Sequence, residues 1–240
     1  LATAAAPRKM TLEWGSADAS YKLAGAQFPK LNIKGEAGGI WEATVDVEGK
    51  IISTVALAAL SDRTVELIRM PDTALTIDAV GGTIGTTAFT DLISFELDVE
   101  TGRHMKLYAG SVSPTASGEG RWKCTLKTTH EYSTAIEAFY DAALAGTILQ
   151  KLIRIKATSG TKVAQIDFAG TINPGSLWGD RDGNQTIDIE WIGHYNTTLA
   201  NVLKGVTTLT DTAIASGDEL LFIDVSDYNN AKKGNVSDIA

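Results

Sequence analysis

Alternating apolar and polar residues recur along this chain, and no other feature of the sequence constrains its fold as strongly. Successive side chains of a β-strand point to opposite faces, so strict alternation predicts strands with one buried face. The alternation covers residues 31–34, 41–48, 75–78, 93–99, 121–128, 149–156, 163–169 and 186–191. Turn residues such as glycine separate many of these runs, which is typical of antiparallel strands.

A single segment, residues 134–145, has the spacing of a helix instead. Ser133 or Thr134 can cap its first turn, Glu137 can complete a capping box, and Gly146 can end it in a left-handed conformation. The apolar residues recur at helical intervals along one face, which is expected to pack on a sheet. They are Ile136, Phe139, Tyr140, Ala143 and Leu144.

Strands flank this helix on both sides. A strand at 121–128 precedes it, and a hairpin with its turn at 158–160 follows. Helices do not alternate with strands elsewhere, which excludes a doubly wound fold. The sequence therefore predicts a mainly β fold, an antiparallel β-sandwich or barrel with one flanking α-helix.

Length and composition are compatible with one such domain. The chain has 240 residues, with no apolar window of about 18 residues that predicts a membrane span. We expect a flexible N-terminal arm at 1–9, a β domain at 10–205 and an acidic C-terminal extension at 206–240. Cys124 is the only cysteine, so an internal disulfide is excluded and a small buried side chain is expected.

The net charge of −8 argues against a protein that grips nucleic acid, because such affinity is built largely from Lys and Arg. Residues 206–240 contain six acids and two lysines, which gives −4, half of the total. The remaining residues carry the other −4. This balance is compatible with a surface that nucleic acid passes without binding.

No motif for catalysis, a cofactor or a metal emerges. His104, His130 and His194 are widely separated and lack metal-ligand spacing. Residues 180–184 place Asp, Asp and Asn as in a calcium loop, but Gln185 and Trp191 replace the glycine and glutamate that such a loop needs. A turn between two strands is favoured there. The five tryptophans are interpreted as core residues.

Residues 51–63 combine an apolar run with a polar break and do not alternate cleanly. One interpretation is a buried strand and short helix within the core. The other is a long loop whose apolar residues are buried only against another copy. On the second interpretation the candidates for contact between assembled copies are Ile51, Ile52, Val55, Leu57, Leu60, Asp62 and Arg63.

Several segments resemble one known family. LNIKGEAGGIWEATVDVEGK, at 31–50, resembles the N-terminal strand pair of the tail tube (major tail) proteins of long-tailed bacteriophages. LTIDAVGGTIGTTAFTDLISFELDVETG, at 75–102, resembles the middle strands of that family. The strand, helix and hairpin from Arg121, with GDRDGNQTIDIEWIGHY, resemble its C-terminal half. The order of these pieces over residues 10–205 carries the resemblance.

This resemblance implies a tail-tube-like fold, similar to the tube protein of type VI secretion. It implies a structural virion protein whose copies close into hexameric rings and stack into a tube through which DNA is ejected into the host. The implied partners are further copies and the tape measure, tail terminator and tail tip proteins. It also implies assembly in the host cytoplasm, with no membrane anchor, cofactor or catalytic role.

Other classes remain open. A capsid decoration protein would share a β-sandwich fold but coat a shell, and a carbohydrate-binding β-sandwich would expose aromatic residues on one face. Residues 206–240 lie outside the resemblance and contain one strand-like run at 219–226. We expect this run to dock on the main domain or to add a strand to a neighbour, with a partly disordered tail as the alternative.

Overall fold

The computed structural model describes residues 10–15, 19–55, 67–147, 150–160, 162–173, 178–194 and 203–204. Within these ranges the chain forms β-strands, one α-helix, α1 (Thr134–Leu144), and a short 3-10 helix at Met70–Asp72. The strands are β1 (Met10–Gly15), β2 (Ser20–Ala26), β3 (Lys30–Glu36), β4 (Glu42–Val45), β5 (Ile51–Thr54), β6 (Thr73–Ala79), β7 (Ala88–Phe89), β8 (Leu92–Glu100), β9 (His104–Lys106), β10 (Ala116–Gly118), β11 (Lys123–Glu131), β12 (Gln150–Ser159), β13 (Lys162–Asn173), β14 (Trp178–Arg181), β15 (Asn184–Gly193) and β16 (Leu203–Lys204).

One large antiparallel sheet contains most of these strands, in the order β4-β3-β8-β11-β15-β13-β12-β6-β7. β14 pairs with β15 and β16 pairs with β13 beside this path. The sheet folds back on itself, because the indole N–H of Trp41 next to β4 donates to the Thr73 hydroxyl of β6 at 2.9 Å. The predicted mainly β fold with one helix is confirmed.

Side-chain alternation places one face of this sheet in a continuous core. On β8, Phe95, Leu97 and Val99 are buried, whereas the residues between them face the other side. Each fully buried apolar side chain of this size contributes roughly 1.5–3 kcal/mol relative to exposure. Cys124 also lies in this core, and its burial raises the pKa of the thiol to about 11. The expectation of a small buried cysteine is therefore confirmed.

Helix α1 covers part of the core, as its spacing predicts. Ser133 is the N-cap, and its hydroxyl accepts the N–H of Ile136. Gly146 follows the helix with φ of 73°, the left-handed conformation expected at its end. The predicted capping box is wrong, because the Glu137 carboxylate instead accepts the Tyr132 hydroxyl at 2.6 Å.

The predicted apolar stripe of α1 is only partly buried. Ile136 is fully buried, and Phe139 and Tyr140 pack against the core. Leu144, at the last turn, is 62% exposed, so its assignment to the buried stripe is wrong. Its side chain has no covering element in the described part of the chain.

The hairpins lie where turn chemistry predicts them. β12 and β13 pair along their length, from Gln150 opposite Thr171 to Ser159 opposite Lys162. This pairing confirms the hairpin with its turn near 160. The acidic segment at 180–184 is also a turn, with φ of 56° at Asp182 and 83° at Gly183 between β14 and β15. These two left-handed residues are typical of the tight turns that join antiparallel strands.

The prediction of a half-buried strand at 41–48 is wrong in its burial, except at Trp41, which packs against the core. The strand forms as β4, but all four of its residues are exposed. Among the described strands β4 is at the margin of the large sheet, so its side chains have a described neighbouring strand on one side only. Alternation alone does not distinguish such a margin strand from a central strand.

Two smaller sheets lie beside the large one. β1, β2 and β5 form a three-stranded antiparallel sheet, the small sheet, and β9 pairs with β10. The small sheet connects to the large one through β2, which leads into β3 within four residues. β9 follows β8 after the turn at Thr101 and Gly102, so both smaller sheets lie at the same end of β3 and β8.

Candidate assembly surfaces

The described residues do not bring the sequence candidates for chemistry together. Groups of three or more metal-ligating side chains are absent from them. His104 is exposed and bonds a nearby backbone carbonyl, His130 is fully buried, and His194 follows β15. The segment at 180–184 closes a turn, with the Gly183 N–H donating to the Asp180 carboxylate at 3.2 Å.

One cluster of described residues has the residue types of a catalytic triad: His130, Asp91 and Ser133. Both His130 Nδ1, at 3.1 Å, and the Ser133 hydroxyl, at 2.7 Å, bond the Asp91 carboxylate. The serine hydroxyl therefore donates to the aspartate and not to the imidazole, so the serine–histidine contact of a nucleophilic triad is not formed. Burial opposes ionisation of Asp91, but the bonds from His130 and Ser133 outweigh it and lower its pKa. The cluster fixes the N-cap of α1 to the sheet.

The candidates for contact between copies fall into two groups. Ile51 and Ile52 lie on β5 of the small sheet, where Ile52 is 63% exposed, and Val55 directly follows that strand and is half-buried. Leu57, Leu60, Asp62 and Arg63 lie outside the described residues. Of the predicted set, the structure thus places Ile51, Ile52 and Val55.

The small sheet has one apolar face, which includes Ile52. Trp14 of β1 pairs with Tyr21 of β2, their rings 6.0 Å apart, and Leu23 pairs with Ile52. Residues directly opposite each other in antiparallel strands point to the same face, so these side chains lie together. Trp14 is 44% exposed and Tyr21 is also exposed, which leaves an apolar surface without a covering element among the described residues.

A second aromatic surface lies at the other end of the large sheet. Tyr132 follows β11 and Trp178 begins β14, with their rings 5.9 Å apart. Trp178 is 48% exposed and Tyr132 is also exposed. The interpretation of all five tryptophans as core residues is therefore wrong for Trp14 and Trp178. Both lie on short strands outside the main path of the large sheet, where no second layer formed by described residues covers them.

The margin of the large sheet at β4 offers backbone groups for pairing. The Asp46 N–H donates to the Lys30 carbonyl, which fixes the register of β4 on β3 and directs the Thr44 N–H inward. The odd-numbered residues then direct their N–H groups away from β3. Trp41, just before β4, has this orientation, because its N–H donates to the Ile68 carbonyl. Ala43 and Val45 follow in the same phase. Their outward N–H groups have no strand partner in the described part of the chain.

The polar face of β3, β8, β11 and β15 is a broad charged surface. Its ion pairs include Lys30 with Asp98 at 3.5 Å and Lys123 with Glu100 at 3.9 Å. The acids exceed the lysines by seven to four, so the face is net negative. Its charged residues are Lys30, Lys34, Glu36, Glu96, Asp98, Glu100, Lys123, Lys127, Glu131, Asp188 and Glu190.

Asp78 of β6 holds the loop that leads to margin strand β7. Its carboxylate accepts the Gly85 N–H at 2.7 Å, the Thr87 N–H at 2.8 Å and the Thr86 hydroxyl at 2.6 Å. Burial by itself would raise the pKa of Asp78, but these donors outweigh it and lower the pKa from 3.8 to about 2. The ionised carboxylate therefore stabilises the folded loop.

We expect Asp78→Asn to lower the free energy of unfolding at pH 7 by about 2 kcal/mol, because a neutral amide accepts these bonds less well. The folded pKa lies below the unfolded one. The contribution of the Asp78 carboxylate to the free energy of unfolding is therefore complete above about pH 4. It disappears as the pH falls towards 2. Urea denaturation at several pH values measures this. Asp182→Asn, in an exposed turn, is the matched control, and equal stability of the Asp78 variant and the parent at pH 7 would contradict the assignment.

Comparison with known sequences identifies the family. The sequence profile described as phage tail tube protein matches residues 2–193, which is most of the chain and ends with the last residue of β15. The chain belongs to the phage tail tube protein family. A comparison with curated proteins finds no match for the chain.

Membership in the tail tube family confirms the resemblance that the strand order carried. The family is a structural one, and its members are components of the virion tail. Within the described ranges, no helix is long and apolar enough to cross a membrane. Sequence reasoning did not find the margin at β4, which is open within the described residues, or the exposed pair of Tyr132 and Trp178. These residues differ from core residues only in their burial, and burial can be determined only once the fold is known.

Proposed function

We propose that this protein closes into hexameric rings and that the rings stack into the tail tube through which phage DNA is ejected into the host. The observation that carries this proposal is the margin at β4, where the outward N–H groups of Ala43 and Val45 have no strand partner among the described residues. Unpaired strand edges promote pairing with another chain, and native proteins normally block them. A ring uses such an edge as its interface.

The two margins of the sheet suit a ring better than a two-fold dimer. β4 lies at one margin and β7 at the other, so pairing between copies joins two different surfaces. Repetition of such a heterologous contact gives a closed ring when the rotation between copies closes. The ring is then free on its two flat sides.

The ends of the strands supply the surfaces for stacking. The apolar face of the small sheet, with Trp14, Tyr21 and Ile52, lies at one end of the large sheet, and Tyr132 with Trp178 lies at the other. Contact between unlike ends of successive rings buries both sets of exposed side chains. Ile51, Ile52, Val55, Leu57, Leu60, Asp62 and Arg63 belong to this stacking surface in the proposal.

The negative polar face of β3, β8, β11 and β15 suits the lining of the channel. Phosphate groups are repelled by its excess of carboxylates, so DNA passes without being held. Specific DNA binding, a cofactor and catalysis have no part in this function. The further partners proposed from family membership are the tape measure, tail terminator and tail tip proteins, and assembly is proposed to occur in the host cytoplasm.

Negative-stain electron microscopy of the purified full-length chain over a range of concentrations tests the proposal. Six-fold rings and long tubes are the expected result. Particles that remain monomeric at high concentration would contradict it. Copies that coat a spherical shell without forming tubes would instead indicate a decoration protein.

Ile52→Asp is expected to leave rings intact and to shorten or abolish tubes. The charge lies on an exposed residue, so we expect the free energy of unfolding to change by less than about 0.5 kcal/mol. Desolvating that charge between rings would be costly. Ser53→Asp is the matched control, because Ser53 is exposed and pairs with Lys22, which faces away from the apolar surface. Tubes of normal length from the Ile52 variant would rule out this residue as a stacking contact.

A further inference from the structure

A groove of about 550 Å³ lies between α1 and the adjacent ends of β13 and β15. Ala138, Ala142 and Phe139 line it from the helix, and Ile172 and Ile192 line it from the strands. The alanines leave room beside the helix, so a chain segment can approach its backbone closely. Ile192 is exposed although its surroundings are apolar.

Helix α1 is more apolar than its contact with the core requires. Glu137 and Asp141 are its only charged residues. Ile136 and Phe139 pack towards the core, whereas Ala138 and Leu144 are exposed on the remaining surface. A helix that is apolar around most of its circumference is normally covered on more than one side. In the described part of the chain no element covers this second side.

We propose that residues 219–226 of the same chain bind in this groove. The described structure ends close to it, because Lys204 of β16 pairs with Asp167 of β13. Ile172, in the groove, lies five residues further along β13, which is roughly 17 Å at the rise of a strand. Leu220 follows Lys204 by sixteen residues, and a chain of that length spans up to roughly 50 Å. The segment therefore reaches the groove without strain.

The chemistry of the segment matches the groove. Leu220, Leu221, Phe222 and Ile223 are the longest apolar run between residue 205 and the last residue, 240. Glu219 and Asp224 flank this run, and Lys151 lines the groove with its ammonium 5.2 Å from the Phe139 ring centre. An apolar run with acidic ends thus meets an apolar groove with a basic residue at its wall.

This proposal does not depend on tube formation. The family match ends at residue 193, so the segment lies outside the residues that the match covers. Binding within one copy would cover α1 before assembly and keep its apolar surface from associating with other copies.

Cysteine crosslinking of the full-length chain tests the proposal. Ala142→Cys combined with Phe222→Cys is expected to form an intramolecular disulfide in most molecules under mild oxidation, seen as a faster band on a non-reducing gel. Cys124 is buried and does not compete. Asp141→Cys combined with Phe222→Cys is the matched control, because Asp141 is exposed and points away from the groove. The control is expected to crosslink at background level.

Two crosslinking results would overturn the proposal. A disulfide between two copies, seen as a dimer band, would assign the groove to a neighbouring subunit. Equal crosslinking of position 222 to positions 141 and 142 would show that residues 219–226 have no fixed position on the helix.

Proteolysis provides a second measurement that needs no disulfide. Ala142→Glu fills the groove, and we expect chymotrypsin cleavage after Phe222 to accelerate by about tenfold or more, because cleavage follows the population of the released segment. Cleavage after Tyr228, outside the bound run, serves as the internal reference and is expected to stay unchanged. Equal cleavage rates after Phe222 in the parent and the variant would contradict the proposal.

Discussion

Ala43→Pro is expected to abolish ring formation and to leave the subunit folded. Ala43 is exposed on β4, and its N–H points away from β3, as the register set by Asp46 and Lys30 requires. Proline removes that outward donor but none of the bonds between β4 and β3. A strand from another copy would then meet a missing donor and a pyrrolidine ring at the centre of the interface. Electron microscopy and sedimentation velocity measure the loss of rings.

Ala43→Val is the matched control for this prediction. Valine keeps the N–H and favours the extended conformation, so rings are expected to form as in the parent. Thr44→Pro is a second comparison, because the Thr44 N–H points inward to β3 and its loss is expected to destabilise the subunit itself. Normal rings from the Ala43 proline variant would exclude β4 as the ring interface.

Trp191→Ala is expected to destabilise the subunit by about 3–5 kcal/mol, which is a large part of the stability of a typical domain. The side chain is fully buried at the centre of the core. Its indole N–H donates to the Thr128 hydroxyl at 3.0 Å, and its ring meets Phe139 of α1 edge-on at 6.0 Å. The substitution removes the packing of the indole ring and leaves a cavity. It also leaves the Thr128 hydroxyl without the indole donor.

Trp178→Ala is the control of the same residue type. Trp178 is half exposed on β14, so its loss is expected to cost less than about 1 kcal/mol. Urea denaturation followed by circular dichroism compares the two variants without relying on tryptophan fluorescence. Equal losses from both would contradict the core assignment of Trp191. On our proposal Trp178→Ala weakens stacking instead, which microscopy of the same samples would show.

Central strands could be predicted closely from the sequence, because burial and alternation agree there. β8 and β11 have neighbours on both sides, so every second residue is buried and the period of two is direct evidence of the fold. The helix was predicted for a similar reason. Its spacing, its N-cap serine and Gly146 are local signals that do not depend on the rest of the chain.

Margin strands could not be predicted in the same way. β4 alternates as regularly as β8, yet its side chains are exposed because the described part of the sheet ends there. Its position in the sheet depends on strand order, which pairs β3 with β8 across more than 50 residues of intervening sequence. The candidate surfaces share this difficulty. Trp178 and Trp191 are chemically identical, and only the layers above them make one a core residue and the other an exposed residue.

Cys124 has a consequence for how the assembled protein can be held together. Thiolate is the species that forms disulfides, and at a pKa of about 11 only about one thiol in ten thousand is ionised at neutral pH. The side chain is also enclosed by the core. Copies of this chain therefore have no exposed sulfur through which to become covalently joined. Disulfides between copies therefore have no part in any assembly that they form.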